Sequence, residues 1–495
     1  MAPTPTAESP DRPAHAPGRV SAEPPRPYHN KLLRGITEDA LGEVRVRTRR
    51  GPGRVPLPPG SHGFSARNTH AIVSDPLRML LEHVERFGPV FTVRTLHDPM
   101  VWAIGAEANH QILVSQFDAF SWREGRYRDL GPLLGNGMLN IDGAYHRQMR
   151  GLMLPAFHRE QVAAVVDRMV DEGVAAADRL TPGDTVDLYG WTRDLALRIA
   201  LRALAGIEAD SEHEHAAAAA FETALSIHGR TPVVQLLRGP GTPYAKAMQA
   251  RRTLDRLILG EIERRRRAGD AGPGVLGMLL EATDGEGEPL PEQAVRDQLV
   301  TLLFAGHDTT TATLTFMFYE LGRSTGARAA LEAEIDARLP GRDPVAADLD
   351  GKALPVLERT LEETLRRYPP AWIGPRRVLR DVTIAGVPVP AGASLNYSSW
   401  ATHHLPDLYP DPLAFDPDRF LPEHVGARPK GAYVPFGGGS RMCLGKRFGE
   451  TELRALTAIL VRRLRLEPAP GRTLRITTTP TLGPVGGLRF RVRER

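Results

Sequence analysis

The 495-residue sequence contains a single cysteine, Cys443, and it has neither a long apolar run nor an excess of one charge. One cysteine excludes an intramolecular disulfide and any metal site with several cysteine ligands. The N-terminus has no apolar segment with the length of a signal peptide or of a membrane anchor. The net charge of +4 is too small to indicate nucleic-acid binding without a concentrated basic patch. Hydrophobic residues nevertheless make up 41% of the chain, which is enough for a large core.

Proline is concentrated at the N-terminus, where residues 1–60 hold 12 of the 43 prolines. This Pro-, Ala- and Arg-rich segment has few aromatic residues, so it cannot bury enough apolar surface to offset the entropy lost on ordering. We therefore predict a disordered extension over residues 1–55 and a folded domain over residues 56–495. The stretch Arg45–Arg54 is either a solvated tail or a contact for an acidic surface.

Helical periodicity dominates the chain from about Asp75 onward, and its longest uninterrupted pattern is Pro291–Arg323. The pattern at Leu152–Leu180 also predicts an amphipathic helix. Short strand-like segments occur at Val90–Val93 and Val382–Val389. Because no linker-like break follows residue 60, these patterns favour one large, mainly helical domain with small sheets.

Residues 436–445 read Phe-Gly-Gly-Gly-Ser-Arg-Met-Cys-Leu-Gly and precede a helical pattern that begins at Lys446. The glycines allow positive φ and a close approach of the backbone to a ligand. Cys443 lies just before the predicted helix N-terminus, where free amides and the helix dipole favour a thiolate. A lone cysteine is either a small buried apolar residue or, in this setting, a single thiolate ligand to haem iron.

The pattern Phe436-x-x-Gly439-x-Arg441-x-Cys443-x-Gly445 resembles the haem-binding signature of the cytochrome P450 superfamily at every fixed position. The resemblance extends from about Pro56 to the C-terminus. It implies a single cytochrome P450-type domain, mainly α with small β-sheets, with haem b between the long central helix and the cysteine loop. Cys443 would be the axial ligand of the iron, and Phe436, Arg441 and Gly445 would contribute to cofactor binding.

The middle of the long helical pattern reads Ala-Gly-His-Asp-Thr-Thr over residues 305–310. A carboxylate beside an alcohol in an apolar pocket can deliver protons, although Asp-Thr-Thr can also cap the start of a second helix. The segment resembles the family's acid–alcohol motif. That resemblance implies that Ala305 and Gly306 face the haem, Asp308 relays protons, and Thr309 holds reduced dioxygen and its water. His307 occupies a variable position and is given no role beyond pocket lining.

Glu363 and Arg366 are spaced to share one helix face, and such pairs are usually solvated and contribute little to stability. They precede Tyr368-Pro369-Pro370, as in the family's Glu-x-x-Arg helix. Residues 415–420 resemble the family segment that contributes a second arginine. The resemblance implies a buried triad of Glu363, Arg366 and Arg419 that holds the surroundings of the cysteine loop.

Haem propionates require cationic or hydrogen-bonding partners. His146 and Arg150 lie one helical turn apart and resemble the family's first haem-facing helix, where tryptophan is common at the first position. Arg376 matches a propionate-binding arginine at the start of a strand. Arg377 competes with it, because the alternation of a strand lets one of the two face inward. Arg441 completes this set.

The resemblance implies a soluble bacterial monooxygenase that inserts one atom of dioxygen into an apolar small molecule of secondary metabolism, by hydroxylation or epoxidation. A peroxide-dependent or isomerising enzyme on the same fold, and a non-enzymatic haem-based sensor, are the alternatives. We expect substrate contacts from Phe117–Met138, Ala224–Tyr244 and Thr479–Gly486, whose mainly apolar character suits a terpenoid, a polyketide or a fatty acid.

Because the sequence ends shortly after the haem domain, we expect a separate ferredoxin or flavodoxin, with its NAD(P)H reductase, as the electron donor. Arg147, Lys430, Lys446 and Arg447 would form a basic patch that attracts an acidic ferredoxin, unless they are simply solvated charges. We expect a cytoplasmic location, no nucleic-acid partner and no membrane anchor.

Overall fold

The computed structural model describes residues 19–25, 55–63, 65–95, 99–125, 131–207, 216–217, 219–221, 223–224, 239–471 and 473–495. The α-helices of these residues are α1 (Ala66–Ser74), α2 (Pro76–Phe87), α3 (Ala106–His110), α4 (Gly131–Leu134), α5 (Gly143–Met153), α6 (Arg159–Ala164), α7 (Val166–Ala177), α8 (Leu188–Ile199), α9 (Pro243–Ala268), α10 (Gly274–Glu281), α11 (Glu292–Arg323), α12 (Thr325–Arg338), α13 (Pro355–Arg367), α14 (Ser399–Thr402), α15 (Pro422–Ala427) and α16 (Lys446–Arg463). Within this part of the chain, no helix is long and apolar enough to cross a membrane.

The strands are short. They are β1 (Arg19–Val20), β2 (Gly60–Ser61), β3 (Val90–Arg94), β4 (Pro99–Ala103), β5 (Phe120–Ser121), β6 (Thr185–Asp187), β7 (Thr283–Asp284), β8 (Gly374–Val378), β9 (Val382–Ile384), β10 (Val387–Val389), β11 (Ser394–Tyr397), β12 (Leu464–Pro468), β13 (Ile476–Thr477), β14 (Gly483–Pro484) and β15 (Arg489–Glu494). The predicted architecture, mainly α with small β-sheets, is therefore confirmed.

Helix α11 is the centre of the helical part and packs against α8, α9, α13 and α16. Its sequence has apolar residues and threonines on every side, which is typical of a helix buried all round. The helix is continuous from Glu292 to Arg323. Asp308 therefore does not cap a second helix, and that alternative is excluded.

The largest sheet is mixed and has the strand order β2-β3-β4-β11-β8-β5. Strand β8 pairs antiparallel with both β11 and β5, which brings Arg376 and Arg377 beside the segment that follows β5. A second sheet, β12-β15-β6, packs at the end of the helical part, and β13 pairs with β14 in a C-terminal hairpin.

The predicted single helix over Leu152–Leu180 is wrong. Helix α5 ends at Met153, a 3₁₀ turn follows over Leu154–Phe157, and the chain then forms α6 and α7. Pro155 explains the first break, because proline donates no backbone hydrogen bond and its ring clashes with the preceding turn.

Part of the N-terminal segment contacts the folded domain. Strand β1 pairs in parallel with β7. The amide of Ala22 donates to Gln148 Oε1 (2.6 Å), and Asn136 Nδ2 donates to the Pro25 carbonyl (2.7 Å). Residues 19–25 thus differ from the disordered extension predicted for residues 1–55, because β7 and two side-chain amides satisfy their backbone. Residues 1–18 and 26–54 lie outside the described residues.

Candidate active site

The cysteine loop, residues 434–445, folds back on itself ahead of α16. The amide of Cys443 donates to the carbonyl of Phe436 (2.9 Å), and Gly437 and Gly439 have φ angles of 70° and 62°. A Cβ at Gly439 would overlap the carbonyl oxygen of Leu113, so only glycine lets the loop pack this closely. The glycines of the sequence therefore fix where Cys443 lies.

Cys443 is exposed, although enough protein surrounds the sulfur to desolvate it. Burial raises the pKa of the thiol, although the Gly445 amide, Arg150 and Lys446 act in the opposite direction. The Gly445 amide thus acts in the direction that the helix N-terminus predicts, but desolvation of the sulfur acts more strongly against it. A metal cation bonded to the sulfur would supply the compensating stabilisation of the thiolate.

Three arginines gather near this cysteine. Arg441 Nη2 donates to Asp142 Oδ1 (2.6 Å) and to the Ile141 carbonyl (2.7 Å). Burial lowers the pKa of Arg441, and the charges of Arg376 and Arg150 lower it further against the opposing Asp142 carboxylate, to about 10. Because Arg376 and Arg150 repel the Arg441 guanidinium, an anion bound among these arginines would be favoured.

Strand alternation distinguishes Arg376 from Arg377. Arg376 is 1% exposed, and its guanidinium carbon lies 3.4 Å from the ring centroid of Trp122. Arg377 is half-buried and donates to the Gly392 carbonyl (2.9 Å). Trp122 also lies 5.1 Å from the Arg441 guanidinium carbon, so the structure brings Arg376 and Arg441 together on one indole.

His146 lies on the same helix as Arg150 and is buried. Burial first, and then the charges of Arg441 and Arg150, lower the pKa of His146 to about 3. The imidazole is therefore neutral at pH 7 and can donate one N–H to an anionic group.

A narrow accessible face lies in the middle of α11. Between Val295 and Phe318, every residue is buried except Ala305, Gly306 and Thr309, which share one side of the helix. A Cβ at Gly306 would meet nothing closer than Ala200 Cβ at 3.9 Å. The Thr309 hydroxyl donates to the Ala305 carbonyl (2.7 Å). Space and a hydroxyl therefore occur together at this face.

Asp308 and His307 are not part of that face. Asp308 is 3% exposed; its Oδ2 accepts from the Thr481 hydroxyl (2.8 Å) and its Oδ1 lies 3.4 Å from Arg193 Nη2. His307 is buried against Phe221, with their ring centroids 5.4 Å apart. His307, to which the sequence assigned no role beyond pocket lining, therefore packs in the core.

A second hydrogen bond joins α11 to the helix that follows the cysteine. The Thr310 hydroxyl donates to Glu452 Oε2 (3.1 Å), and burial raises the pKa of Glu452 to about 8. Since α16 starts three residues after Cys443, this bond holds the centre of α11 near the cysteine loop. Sequence reasoning missed Glu452, although an acidic residue in the apolar stretch of α16 was a visible signal.

The predicted charge triad comes together. Arg366 donates to both oxygens of Glu363 (2.7 and 2.8 Å), and both side chains are fully buried. Arg419 Nε lies 3.6 Å from Glu363 Oε1. Arg366 also donates to the His403 carbonyl, and His403 Nε2 accepts from the Val434 amide (3.0 Å). The triad is thereby connected to the start of the cysteine loop.

The donor set fits haem b. An exposed cysteine sulfur suits an iron atom, and the guanidinium groups of Arg150, Arg376 and Arg441 suit two propionates. The neutral His146 adds a hydrogen-bond donor. Asp142, which pairs with Arg441, and Arg193, which pairs with Asp308, were missed from the sequence. Trp122 and Thr481 were included only within segments expected to contact substrate.

The predicted basic patch consists of accessible side chains. Arg147, Lys430 and Arg447 are exposed, and Lys446 is half-buried with its Nζ 3.7 Å from Glu450. Of the segments expected to contact substrate, most of residues 224–244 lies outside the described residues.

Comparison with known proteins assigns the chain to a family. Residues 68–486 match the family model for cytochrome P450. The chain is 34% identical to cyclooctat-9-en-7-ol 5-monooxygenase of Streptomyces melanosporofaciens (86% of this chain, 90% of that protein). It is 32% identical to pentalenene oxygenase of Streptomyces avermitilis (75% and 82%). The solved structure of retinoic acid-bound cyanobacterial CYP120A1 aligns with a TM-score of 0.78 at 28% identity, over 90% of this chain and 100% of that one. The chain belongs to the cytochrome P450 family and is a monooxygenase of that family.

Proposed function

We propose that this cytochrome P450 hydroxylates or epoxidises a cyclic terpenoid, with haem b bound through Cys443 and electrons supplied by a separate ferredoxin. The observation that carries the proposal is the accessible face of α11, where only Ala305, Gly306 and Thr309 interrupt a buried stretch. Small residues beside one hydroxyl leave room for a planar cofactor and an apolar molecule.

The substrate class follows from the relatives. Their names specify oxidation of cyclooctat-9-en-7-ol and of pentalenene, which are both cyclic terpenoids. A polyketide or a fatty acid would also suit an apolar face, and the names of the relatives support the choice of a terpenoid.

The cofactor would be held by residues from three parts of the chain. Cys443 would bind the iron, and the guanidinium groups of Arg150, Arg376 and Arg441 would pair with the propionates, assisted by His146. When bound in this way, haem activates dioxygen and supplies the oxidising chemistry.

Proton delivery would be the task of Asp308 and Thr309. The Thr309 hydroxyl donates its hydrogen bond to the Ala305 carbonyl (2.7 Å). The hydroxyl oxygen can therefore accept a hydrogen bond at the accessible face. Asp308 would receive protons at its carboxylate and pass them toward that hydroxyl. The buried residues on either side of this face would exclude other water.

Turnover with a ferredoxin, its reductase and NAD(P)H under ¹⁸O₂ tests the proposal, using cyclic terpenes and fatty acids as substrates. We expect a terpene to shift the Soret band and to acquire one labelled oxygen atom. Turnover with hydrogen peroxide alone, or an isomerised product without label, would favour the alternative enzyme classes. Ligand binding without any product would favour a sensor.

Thr309→Ala tests the assigned hydroxyl. We expect the variant to retain haem but to form several-fold less product for each NAD(P)H consumed, because a positioned hydrogen-bonding hydroxyl is lost at the accessible face. Thr315→Ala is the matched control, since Thr315 makes the same hydrogen bond within α11 (2.8 Å to the Thr311 carbonyl) but is fully buried. Equal coupling in both variants would contradict the role of Thr309.

A further inference from the structure

The C-terminal hairpin brings a hydroxyl to Asp308. Strands β13 and β14 are antiparallel, and the turn between them holds Thr481, which is 9% exposed. The Thr481 hydroxyl donates to Asp308 Oδ2 at 2.8 Å. The sequence predicts this turn only as a substrate contact, so its connection to Asp308 is a finding of the structure.

The two oxygens of Asp308 have different kinds of partner. Oδ1 lies 3.4 Å from the cationic Nη2 of Arg193, whereas Oδ2 accepts from a neutral hydroxyl. Arg193 is itself held by Tyr189, which accepts a hydrogen bond (3.2 Å) and lies under the guanidinium carbon (4.7 Å to the ring centroid). The Asp308 carboxylate is therefore oriented from one side by α8 and from the other side by the hairpin.

The hairpin is firmly anchored. The amide of Leu482 donates to the Pro370 carbonyl (3.0 Å), and Trp372 Nε1 donates to the Thr478 carbonyl (2.8 Å). A Cβ at Gly483 would lie 2.8 Å from the Tyr189 hydroxyl, so the turn also packs against the residue that holds Arg193. A displacement of this turn would act on both partners of the Asp308 carboxylate.

The two contacts of Asp308 differ in what their loss would cost. Separating Arg193 from Asp308 would leave a buried charge without its partner, which is strongly unfavourable. Breaking the bond from Thr481 leaves the ion pair intact and removes one hydrogen bond to a charged group. The hydrogen bond from the Thr481 hydroxyl is thus the contact that can break and re-form while the Asp308 carboxylate passes a proton.

We propose that Thr481 is a positioning residue for Asp308, which its hydroxyl holds in the orientation from which the carboxylate relays protons. The C-terminal turn then contributes to the coupling of NAD(P)H consumption to product formation, in addition to contacting substrate. The inference rests on the proposed function, because it requires Asp308 to deliver protons.

The experiment compares Thr481→Val, which removes the hydroxyl at nearly constant volume, with Thr481→Ser, which keeps it. We expect Thr481→Val to lower product per NAD(P)H by about tenfold, the factor that corresponds to 1.4 kcal/mol, and to raise the solvent isotope effect on turnover. Thr481→Ser should restore both values. Thr477→Val, on the same hairpin but without a bond to Asp308, should change neither.

Two further measurements separate this inference from a structural role. In an Asp308→Asn background, Thr481→Val should cause no additional uncoupling, because the relay is already lost. A crystal structure of the Thr481→Val holoenzyme should show the Asp308 carboxylate turned away from residue 481; an unmoved carboxylate would overturn the proposal.

The outcomes are distinguishable. If Asp308→Asn uncouples the reaction and Thr481→Val does not, the role of Thr481 is wrong while the proposed function stands. If Asp308→Asn leaves coupling unchanged, the assigned role of Asp308 fails and the role of Thr481 fails with it. If Thr481→Ser behaves like Thr481→Val, the methyl packing rather than the hydroxyl is responsible, and the proposal is rejected.

Discussion

This cytochrome P450 has two buried arginine clusters, one around Arg366 and one around Arg441, and they differ in how the arginines are paired. In the first, Arg366 pairs with both oxygens of Glu363, and its remaining N–H groups donate to backbone carbonyls, including those of His403 and Pro412. In the second, Arg441 pairs with Asp142, while burial and the charges of Arg376 and Arg150 lower its pKa to about 10.

The difference separates a structural role from a binding role. The Glu363–Arg366 pair is complete within the chain, so its removal costs stability and nothing outside the chain can replace it. In the cluster around Arg441, the neighbouring guanidinium groups repel Arg441, so an anionic ligand there would relieve that repulsion. Burial alone does not distinguish the two clusters; the difference is that Arg366 pairs with both oxygens of Glu363, whereas like charges lower the pKa of Arg441 despite its pairing with Asp142.

The largest effect on stability is expected from breaking the Glu363–Arg366 pair. Glu363→Ala leaves the fully buried Arg366 without its counter-ion and should lower the free energy of unfolding by about 3–5 kcal/mol. Chemical denaturation of the holoenzyme measures this loss. Glu82→Ala is the control, because the Arg78–Glu82 pair is exposed and should contribute less than about 1 kcal/mol. Similar losses in both variants would contradict the comparison.

Loss of Arg441 should affect haem retention rather than stability. Arg441→Leu removes one of three like charges, while Asp142 keeps the hydrogen bonds from Ser121 and from the amides of Trp122 and Arg123. We therefore expect the haem-free variant to unfold at no lower denaturant concentration than the haem-free parent. Haem transfer to an acceptor protein should be faster by about tenfold or more, since a charged partner of a propionate is lost. A destabilised variant with unchanged haem transfer would show that Arg441 is structural.

Both clusters could be predicted from the sequence in part, because their signals are local. Glu363 and Arg366 are three positions apart on α13, and Arg441 lies two positions before Cys443. Their other partners are remote: Asp142 is 299 positions from Arg441 in the chain, and Thr481 is 173 positions from Asp308. Periodicity and spacing do not register such contacts.

Burial was the second quantity that the sequence did not provide. The helix N-terminus after Cys443 was visible and favoured a thiolate, but the desolvation that raises the pKa of the thiol depends on the packed structure. The burial of His307 was likewise not visible in the sequence, because it depends on the packing of its ring against Phe221. The family resemblance identified which residues belong to the site, whereas the packed structure identified the groups that they contact.

Glu452 extends the comparison to a buried acid that has no arginine partner. Its pKa of about 8 lies above the usual 4.5, so the folded state keeps a proton that the unfolded state releases between these values. Stability is therefore lost as the pH rises from about 4.5 to 8. Glu452→Gln removes this titration and should match the parent at pH 5 but exceed it at pH 9, by at most about 4 kcal/mol. Denaturant unfolding at the two pH values measures the difference, and a pH-independent difference would show that Glu452 is ionised in the folded state.

The smallest effect is expected from arginines that are exposed rather than buried. Arg147 and Arg447 are accessible, so solvent screens their charges and their loss should leave the fold unchanged. If they attract an acidic ferredoxin, charge reversal of both should slow ferredoxin-driven turnover by about threefold to tenfold at low salt. The defect should shrink as salt rises, because exposed charges are screened within about 10 Å at 0.1 M. Peroxide-driven turnover should not change.

A matched double reversal tests whether position or net charge matters. Arg252→Glu with Arg256→Glu alters the net charge by the same amount on the exposed side of α9, and it should leave ferredoxin-driven turnover unchanged. Equal defects in the two double variants would mean that overall charge, and not a docking patch near Cys443, steers the ferredoxin. Equal loss of ferredoxin-driven and peroxide-driven turnover in the Arg147 and Arg447 variant would instead place these arginines with the buried ones, as residues that hold the fold or the haem. Arg147 and Arg447 therefore differ in role from the buried arginines only if the effect of their reversal on turnover depends on salt and on the electron donor.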